Sequence, residues 1–243
     1  MQVTTIPVIL KDHYMLSPSV KHFVFHALQE PAFDYIAGQF ITVHFEHQGK
    51  ALKRSYSIAN PPKHNNHIEF AAGRVENGPG TEFLFNLNIG DIVNVSGPYG
   101  RLILKNEPPK RYILVATSTG ITPYRAMIPQ LKHLVELYPE VRIIIMQGVR
   151  TREDILYNEE FSTLASLFPR IQFRAHLSRY TKGLQEFEHT GYVQHAFDEL
   201  ELNPTEDIIY LCGNPSMVDA SFELLKEKGF EAQQIVREKY LSR

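Results

Sequence analysis

Small and hydroxyl-bearing residues stand at a point in the chain where an apolar stretch gives way to an amphipathic one. Residues 116–123 read ATSTGITP, with Thr122 suited to the N-cap of a helix and Pro123 to its first position. A helix N-terminus presents free backbone amides and a partial positive charge, and small residues let a phosphate approach them. The segment therefore has the chemistry of a phosphate-binding turn, although a plain, well-capped strand–helix turn would have the same sequence.

A second turn of the same kind lies near the C-terminus. Residues 211–215 read LCGNP, where Gly213 turns the chain, Asn214 suits an N-cap and Pro215 suits the first helical position. Ligands of open parallel sheets bind beyond the carboxyl ends of the strands. Two such turns in one chain favour a dinucleotide crevice more than either turn does alone.

An arginine, two serines and a tyrosine stand together in the first half of the chain, at Arg54, Ser55, Tyr56 and Ser57. A guanidinium group and hydroxyls can bind a phosphate, and an aromatic ring can contact another flat ring. The same residues also suit an exposed strand edge, and residues 78–81 (GPGT) suit a simple hairpin turn. Taken alone, these segments leave the choice between a ligand site and ordinary surface open.

The elements that must position these residues differ between the two halves of the chain. The first half consists of short segments rich in β-branched and aromatic residues, separated by turn residues such as Gly38, Gly49 and Gly97-Pro98. This spacing predicts a β-barrel or β-sandwich, with one helix at 81–87. The predicted strands are 3–10, 20–26, 40–45, 52–58, 67–74 and 91–96.

The pattern changes after a polar, proline-bearing linker at 106–110. Beyond it, apolar strands alternate with stretches whose apolar residues recur at helical spacing. Such alternation predicts a parallel sheet with helices on both faces. The predicted strands are 111–116, 141–148, 171–177, 208–211 and 234–238, and the predicted helices are 121–138, 158–167, 193–200 and 215–228.

Composition excludes several classes of protein. The 243-residue chain has a formal net charge of −2, without the basic excess of a nucleic-acid-binding domain. Its one cysteine, Cys212, forms no internal disulfide and falls short of the roughly four thiolates that an iron–sulfur cluster needs. No apolar run approaches the about 20 residues that span a bilayer, residues 1–10 do not resemble a signal peptide, and the histidines show no metal-binding spacing. We expect a cytoplasmic protein that binds no membrane, nucleic acid or metal.

The motifs occur in a fixed order along nearly the whole chain: RSYS at 54–57, GT at 80–81, GPYG at 97–100, TGITP at 119–123 and CGNPSM at 212–217. In this order and spacing the chain resembles the ferredoxin–NADP reductase superfamily, in particular the compact bacterial ferredoxin/flavodoxin–NADP reductases. The resemblance implies two domains. An N-terminal antiparallel six-stranded β-barrel at 1–105 would bind FAD, and a C-terminal α/β domain with a parallel sheet at 106–243 would bind NAD(P).

The resemblance assigns the flavin to residues of the barrel. Arg54 would pair with the FAD pyrophosphate, Tyr56 would stack on or beside the isoalloxazine ring, and Ser57 would lie by flavin N5. The full set of expected flavin contacts is Arg54, Ser55, Tyr56, Ser57, Gly73, Arg74, Val75, Gly80 and Thr81.

The resemblance assigns the nicotinamide nucleotide to the parallel-sheet domain. Cys212 would lie near the nicotinamide, with Glu238 and Tyr240 as the family's near-terminal acid and aromatic residue. Together with Ser57, these three are the expected catalytic residues. The residues expected to shape the pyrophosphate site are Thr119, Gly120, Pro123 and Gly213. Outside the resemblance, Cys212 also suits an inert core position and Tyr240 suits a cap on the last strand.

Arginines that follow two strands favour NADPH over NADH. Arg150 follows the strand at 141–148, and Ser178 and Arg179 follow the strand at 171–177. Because the carboxyl ends of parallel strands face the nucleotide, both guanidinium groups would converge on the 2′-phosphate, as a similar Ser/Thr-Arg pair does in the bacterial ferredoxin–NADP reductases. Tyr192 stands where some of those enzymes have another arginine, so NAD stays an alternative cofactor.

Two positions depart from the family pattern. Ser118 stands where the nucleotide turn usually has a second glycine, so we expect a tighter approach to the phosphates. The chain also continues past Tyr240 with residues 241–243, whereas in some relatives the stacked aromatic residue is terminal or followed by one more aromatic. The expected placement of Tyr240 over the flavin is therefore less firmly implied than the other contacts.

The resemblance implies an FAD-dependent oxidoreductase that passes electrons between NADPH and a one-electron carrier, either ferredoxin or flavodoxin. We expect it to act as a monomer. The alternatives are an NAD(P)H-dependent reductase of free flavin, the reductase component of an oxygenase, and a redox-sensing or electron-transfer subunit without turnover of its own. Tightly held FAD with diaphorase activity would distinguish the reductase of ferredoxin or flavodoxin from a reductase of free flavin.

Overall fold

The computed structural model describes residues 4–29, 34–62, 66–105, 107–180 and 182–240. The chain forms two compact units, the first comprising Met1–Ile103 with Thr122–Met127 and the second comprising Leu104–Ile121 with Ile128–Arg243. Asn106, in the predicted linker, and Val3, at the start of the first predicted strand, lie outside the described residues.

The first unit contains a six-stranded antiparallel sheet in the order β4-β3-β6-β1-β2-β5. Its two edge strands meet where Ile58 and Phe70 form a bridge and Ala59 N donates to Glu69 O at 2.7 Å, so the sheet closes into the predicted barrel. The elements of this unit are β1 (Thr4–Ser17), β2 (Val20–Ala27), β3 (Phe40–His47), β4 (Lys50–Ser57), β5 (His67–Gly73), α1 (Pro79–Phe85) and β6 (Ile92–Tyr99).

Apolar side chains that alternate with polar ones along the strands fill the interior of the barrel. Phe23 and Phe25 of β2 and Phe70 of β5 are fully buried and their rings stack, with Phe25 and Phe70 centroids 5.5 Å apart. The first strand is longer than predicted because its register shifts between Leu10 and Asp12. The shift breaks the alternation by which the strand was recognised, and the strand continues beyond it.

The second unit contains a six-stranded parallel sheet in the order β10-β9-β8-β7-β11-β12. Residues 112–116 of its central strand β7 are all fully buried, so both faces of that strand are covered, which explains its continuous apolar sequence. The elements are β7 (Arg111–Thr117), β8 (Arg142–Val149), α3 (Asn158–Leu167), β9 (Ile171–Leu177), β10 (Glu188–Thr190), β11 (Asp207–Gly213), α4 (Pro215–Glu227) and β12 (Ile235–Lys239). Helix α2 (Thr122–Leu137) follows β7, and its residues Thr122–Met127 belong to the first unit. No helix in the described part of the chain is long and apolar enough to cross a membrane.

Two predictions about the second unit are wrong. The helix predicted at 193–200 is a short 3₁₀ helix, Val193–Phe197, followed by a turn. Strand β10 was missed because it has only three residues, Glu188, His189 and Thr190, and all of them are polar.

Of the two predicted helix N-caps, Asn214 is confirmed and Thr122 is wrong. Asn214 caps α4 as predicted, because its Oδ1 accepts from Ser216 N at 2.8 Å. Thr122 does not cap α2: the helix begins at Thr122 itself, and its buried hydroxyl oxygen has no hydrogen-bond partner among the described residues. Ile121 occupies the N-cap position instead, because a 3₁₀ turn at Ser118–Ile121 leads directly into the helix.

Candidate functional site

Strand β4 presents Arg54 and Tyr56 on the same side, because residues two apart in a strand share a face. The Tyr56 ring stacks on the Phe70 ring, with centroids 4.8 Å apart and planes at 19°. Burial raises the pKa of the Tyr56 phenol to about 12, against a smaller opposite effect of Arg54. The barrel core therefore holds Tyr56 as a neutral ring of fixed orientation beside a guanidinium group.

The backbone of Gly80, in the GT motif at 80–81, lies close to the Arg54 side chain of β4. A Cβ atom at Gly80 would lie 2.7 Å from Arg54 Cγ and 3.4 Å from the Tyr56 hydroxyl, so a side chain there would displace Arg54. Thr81 Oγ1 accepts from Val75 N at 3.0 Å, which ties the loop after β5 to the same place. The structure therefore brings Arg54, Tyr56, Val75, Gly80 and Thr81 together.

The remaining expected flavin contacts have other neighbours. Ser55 is exposed on the opposite side of β4, with its hydroxyl 3.0 Å from Thr42 Oγ1, whereas Ser57 is buried. Gly73 ends β5, and the Arg74 guanidinium lies 5.0 Å from the centre of the Phe85 ring.

These residues fit a dinucleotide with a flat ring and a pyrophosphate. The Arg54 guanidinium donates to the Lys53 carbonyl at 2.8 Å and forms no ion pair with a described carboxylate, so its charge is free for an anion. Beside it, Gly80 brings the backbone close, and Tyr56 supplies an aromatic face.

In the second unit, two turns at the carboxyl edge of the sheet interlock. A Cβ atom at Gly120 would lie 2.2 Å from the Cys212 carbonyl oxygen, and one at Gly213 would lie 2.5 Å from Thr117 Oγ1. Thr117 Oγ1 also accepts from Asn214 N at 2.9 Å. Because backbone atoms occupy these positions, glycine is required at both, and the turns after β7 and β11 are held against each other.

The conformation of Ser118 explains why glycine is usual there. Its φ is 48°, in the left-handed region that glycine enters without strain. The Ser118 carbonyl accepts from Gln147 Nε2 at 3.3 Å, and Gln147 Oε1 accepts from Leu156 N at 3.2 Å. Fully buried Gln147 therefore supports the turn, a role that the sequence analysis missed. Gln147 is a lone polar residue within the apolar run of β8, and this position could have indicated a buried hydrogen-bonding role.

Cys212 and Glu238 are paired neighbours on the parallel strands β11 and β12. Cys212 is fully buried, and burial followed by the charge of Glu238 raises the pKa of its thiol, while a hydrogen bond with the Tyr240 side chain acts in the opposite direction. Tyr240 N donates to Gly213 O at 2.8 Å. The three expected residues therefore lie together, and Cys212 is a neutral thiol rather than a nucleophile.

The loops that follow β8 and β9 run side by side. Arg179 N donates to Arg150 O at 2.9 Å, and the Ser178 backbone and hydroxyl both donate to the Val149 carbonyl, at 3.0 and 3.2 Å. Both arginines are exposed, and neither forms an ion pair with a described carboxylate. In contrast, Arg152 Nε donates to buried Glu188 at 2.6 Å. Arg150 and Arg179 thus have free charges at the carboxyl edge of the sheet, which is the edge where open parallel sheets bind their ligands.

Thr119 and Pro123 flank the interlocked turn in sequence. Thr119 is half-buried within the 3₁₀ turn, and Pro123 is buried in the first turn of α2. Among the described residues, no three histidine, cysteine or acidic side chains are placed to hold a metal ion.

Comparison with known proteins gives the same two-part division. The chain matches a family described as an oxidoreductase FAD-binding domain over residues 7–103 and one described as an oxidoreductase NAD-binding domain over residues 114–222. It is 33% identical over 233 residues to ferredoxin–NADP reductase B of Sorangium cellulosum (strain So ce56), covering 93% of both chains. It is 29% identical over 231 residues to the reductase component of phenol 2-monooxygenase of Pseudomonas sp. (strain CF600), covering 93% of this chain and 62% of that protein.

A solved structure has the same fold. The crystal structure of a ferredoxin–NADP⁺ reductase from Neisseria gonorrhoeae with bound FAD and NADP matches with a TM-score of 0.84 at 18% identity, covering 99% of this chain and 100% of that one. The fold and the matched domains define an oxidoreductase that binds FAD and a nicotinamide nucleotide. The chain belongs to the ferredoxin–NADP reductase superfamily.

Proposed function

We propose that this protein passes electrons between NADPH and ferredoxin or flavodoxin, that is, that it is a ferredoxin/flavodoxin–NADP⁺ reductase. The observation that carries the proposal is the pair of exposed arginines Arg150 and Arg179, whose backbones are joined by a hydrogen bond of 2.9 Å and whose guanidinium groups form no ion pair with a described carboxylate. They are the groups that a 2′-phosphate requires and NADH does not. The 33% identity to a ferredoxin–NADP reductase over 93% of both chains supports the same activity.

In this proposal the barrel residues hold the flavin. Arg54 neutralises the pyrophosphate, Gly80 and Thr81 supply backbone and hydroxyl contacts to it, and Tyr56 fixes the plane of the ring. Buried Ser57 provides a hydroxyl by the flavin where the hydride arrives. When bound, FAD accepts two electrons as a hydride and releases them one at a time.

The residues of the second unit hold and orient the nucleotide. Gly120 and Gly213 let the pyrophosphate approach the two turns, and Ser178 joins the arginines at the 2′-phosphate. Cys212 lies near the nicotinamide as a neutral, buried thiol that does not attack the ring, since its thiol pKa is raised. Glu238 and Tyr240 orient the same ring.

A second candidate is the reductase component of an oxygenase. The 29% identity to the phenol 2-monooxygenase reductase component favours it, although this chain covers 62% of that protein. The two candidates share the flavin and the nicotinamide nucleotide and differ in the electron acceptor. We further propose that the protein acts as a monomer in the cytoplasm, which light scattering and cell fractionation would test.

The test is to purify the protein, record its visible spectrum and titrate it anaerobically with NADPH and with NADH. We expect noncovalent FAD that NADPH reduces more readily than NADH, followed by electron transfer to ferredoxin or flavodoxin. A colourless protein that takes up no FAD would overturn the proposal. Preference for NADH, with electrons passing to an oxygenase and not to these carriers, would favour the second candidate.

A further inference from the structure

The strands of the second unit's sheet are parallel, so their N-terminal halves lie together. One face of this amino half of the sheet is incompletely covered. Strand β10 pairs only with residues 175–177 of β9, so the preceding residues of β9 form an open edge. The 3₁₀ helix on the same side ends at Phe197 instead of continuing as a full helix. The space left between the sheet and the residues after Phe197 is an open cavity of about 380 Å³.

Arginines dominate the lining of this cavity, which includes Arg111, Arg142, Arg170 and Arg174 together with Gln172 and Glu199. The strand register places those that lie in strands on one face of the sheet. Arg111 pairs with Arg142, while Gln172 and Arg174 pair with Ile144 and Met146, two and four residues beyond Arg142. Side chains two residues apart share a face, so these positions all face the cavity side of the sheet.

Two of the four guanidinium groups are already engaged within the fold. Arg111 forms a two-point ion pair with Asp207, with Nε–Oδ1 and Nη2–Oδ2 distances of 2.9 and 2.6 Å. Arg170 donates to the main-chain carbonyls of Val135 and Tyr138 at the end of α2. Both side chains are structural, although the charge of Arg170 remains without a carboxylate.

The other two arginines keep donors for a ligand. Arg142 is exposed and forms no ion pair with a described carboxylate. Arg174 donates to Gln172 Oε1 at 3.1 Å and also forms no ion pair with a described carboxylate. Glu199 is the single acidic residue of the lining, so a surplus of two positive charges remains once Arg111 is balanced by Asp207.

We propose that this cavity is a second anion site, which binds a small organic molecule bearing a phosphate group through Arg142 and Arg174. A phosphate carries a charge of about −1.5 to −2 at neutral pH, which matches the surplus, and planar guanidinium groups bind its oxygens in pairs. Ile144 and Leu200 are buried beneath and offer an apolar contact for the organic part. The volume lies within the range of small-molecule sites.

The site is separate from that of the nicotinamide nucleotide. The nucleotide site lies at the carboxyl edge of the sheet, and the cavity lies at the amino edge. Arg174, the lining residue nearest the carboxyl edge of β9, lies five residues before Arg179, which corresponds to roughly 16 Å of extended chain. The inference does not rest on the proposed function, because it requires neither NADPH nor an electron carrier.

Isothermal titration of the purified protein with inorganic pyrophosphate, in the presence of saturating NADP⁺, tests the proposal. We expect one binding site, and Arg142→Gln or Arg174→Gln should each weaken binding by about 10-fold or more. Arg101→Gln, which removes an exposed arginine of the first unit, serves as the matched control and should leave binding unchanged.

Three results would overturn the proposal. Binding that NADP⁺ abolishes would place pyrophosphate at the nucleotide site. Equal affinity of the wild type and the Arg142→Gln/Arg174→Gln double variant would exclude these arginines. Tighter binding of citrate than of pyrophosphate in a parallel titration would show a carboxylate rather than a phosphate site. Because both residues lie at the surface of the cavity, circular dichroism should show that the variants remain folded.

Discussion

At the scale of single residues, Cys212 shows how burial decides the chemistry of a side chain. A thiol is reactive when it is a thiolate, and thiolates need exposure or a nearby positive charge. Cys212 has neither, since it is fully buried beside the carboxylate of Glu238. In the proposed function Cys212 therefore acts by positioning Tyr240 through their hydrogen bond rather than by covalent catalysis.

We predict that Cys212→Ala slows reduction of the flavin by NADPH and leaves the FAD content unchanged. The substitution removes one neutral hydrogen bond with Tyr240, which contributes about 0.5–1.5 kcal/mol, so the rate should fall about 2- to 10-fold. Stopped-flow absorbance measures the rate, and Ser221→Ala, at another fully buried position, is the control. A rate equal to that of the wild type would show that Cys212 only fills the core.

Arg179→Ala should raise the KM for NADPH and leave the KM for NADH nearly unchanged. The lost charge-assisted contact to the 2′-phosphate corresponds to about 1.5–3 kcal/mol, or roughly 10- to 150-fold. Steady-state kinetics with both nucleotides measures the effect, with Arg101→Ala as the control. If both KM values rise equally, Arg179 does not recognise the 2′-phosphate.

At the scale of elements, the strands and helices with long apolar patterns could be predicted from the sequence, and the short ones could not. Strand β9 and helix α3 agree with their predicted bounds because burial imposes a clear period on each. Strand β10 and the 3₁₀ helix at Val193–Phe197 are set by tertiary contacts, which no local pattern encodes. Similarly, the motif sequence indicated Gly120, but the support that Gln147 gives to Ser118 appears only in three dimensions.

Gln147→Leu should weaken NADPH binding without loss of FAD. Leucine has a similar size but leaves the Ser118 carbonyl and the Leu156 amide without their partner, at a cost of about 1–3 kcal/mol. We expect the KM for NADPH to rise more than kcat falls, together with a lower midpoint of denaturant unfolding. The exposed Gln130→Leu is the control. An unchanged KM with lower stability would limit Gln147 to a structural role.

His176 lies in β9, the strand between β8 and β10, and it makes the free energy of unfolding depend on pH. Burial, with smaller effects of His189 and Arg174, lowers its pKa from 6.5 to about 3. Between these values the unfolded chain binds a proton that the folded protein does not, so stability falls as the pH decreases from 6.5. Glu69, whose folded pKa is about 2 and ordinary pKa 4.5, contributes only at lower pH.

We therefore predict that His176→Phe reduces the loss of stability between pH 6.5 and pH 5 by about 2 kcal/mol. Phenylalanine keeps the ring that stacks on His189 at 5.0 Å and removes the titrating group. Denaturant unfolding at the two pH values measures the difference, and His133→Gln, at an exposed position, is the control. A slope identical to that of the wild type would mean that His176 is protonated in the folded protein.

At the scale of the whole molecule, each compact unit has its own hydrophobic core and its own candidate ligand site. Phe23, Phe25 and Phe70 belong to the core of the first unit, and Ile113, Val115 and Leu211 to that of the second. Because each core is formed within one unit, a ligand that binds one unit should stabilise mainly the backbone of that unit. Free-energy linkage gives about 2.7 kcal/mol at a ligand concentration 100-fold above its Kd.

Hydrogen exchange followed by mass spectrometry tests this division, with FAD and NADP⁺ added separately to the flavin-free protein. FAD should protect peptides that contain residues 54–57 and 73–81, whereas NADP⁺ should protect those that contain residues 117–121 and 178–180. Arg54→Ala should remove the protection by FAD and leave that by NADP⁺ unchanged, because Arg54 lies in the first unit. Arg179→Ala should have the reverse effect. If FAD protects the peptides of both units equally, or if Arg54→Ala abolishes protection by both ligands, the two sites are not energetically independent.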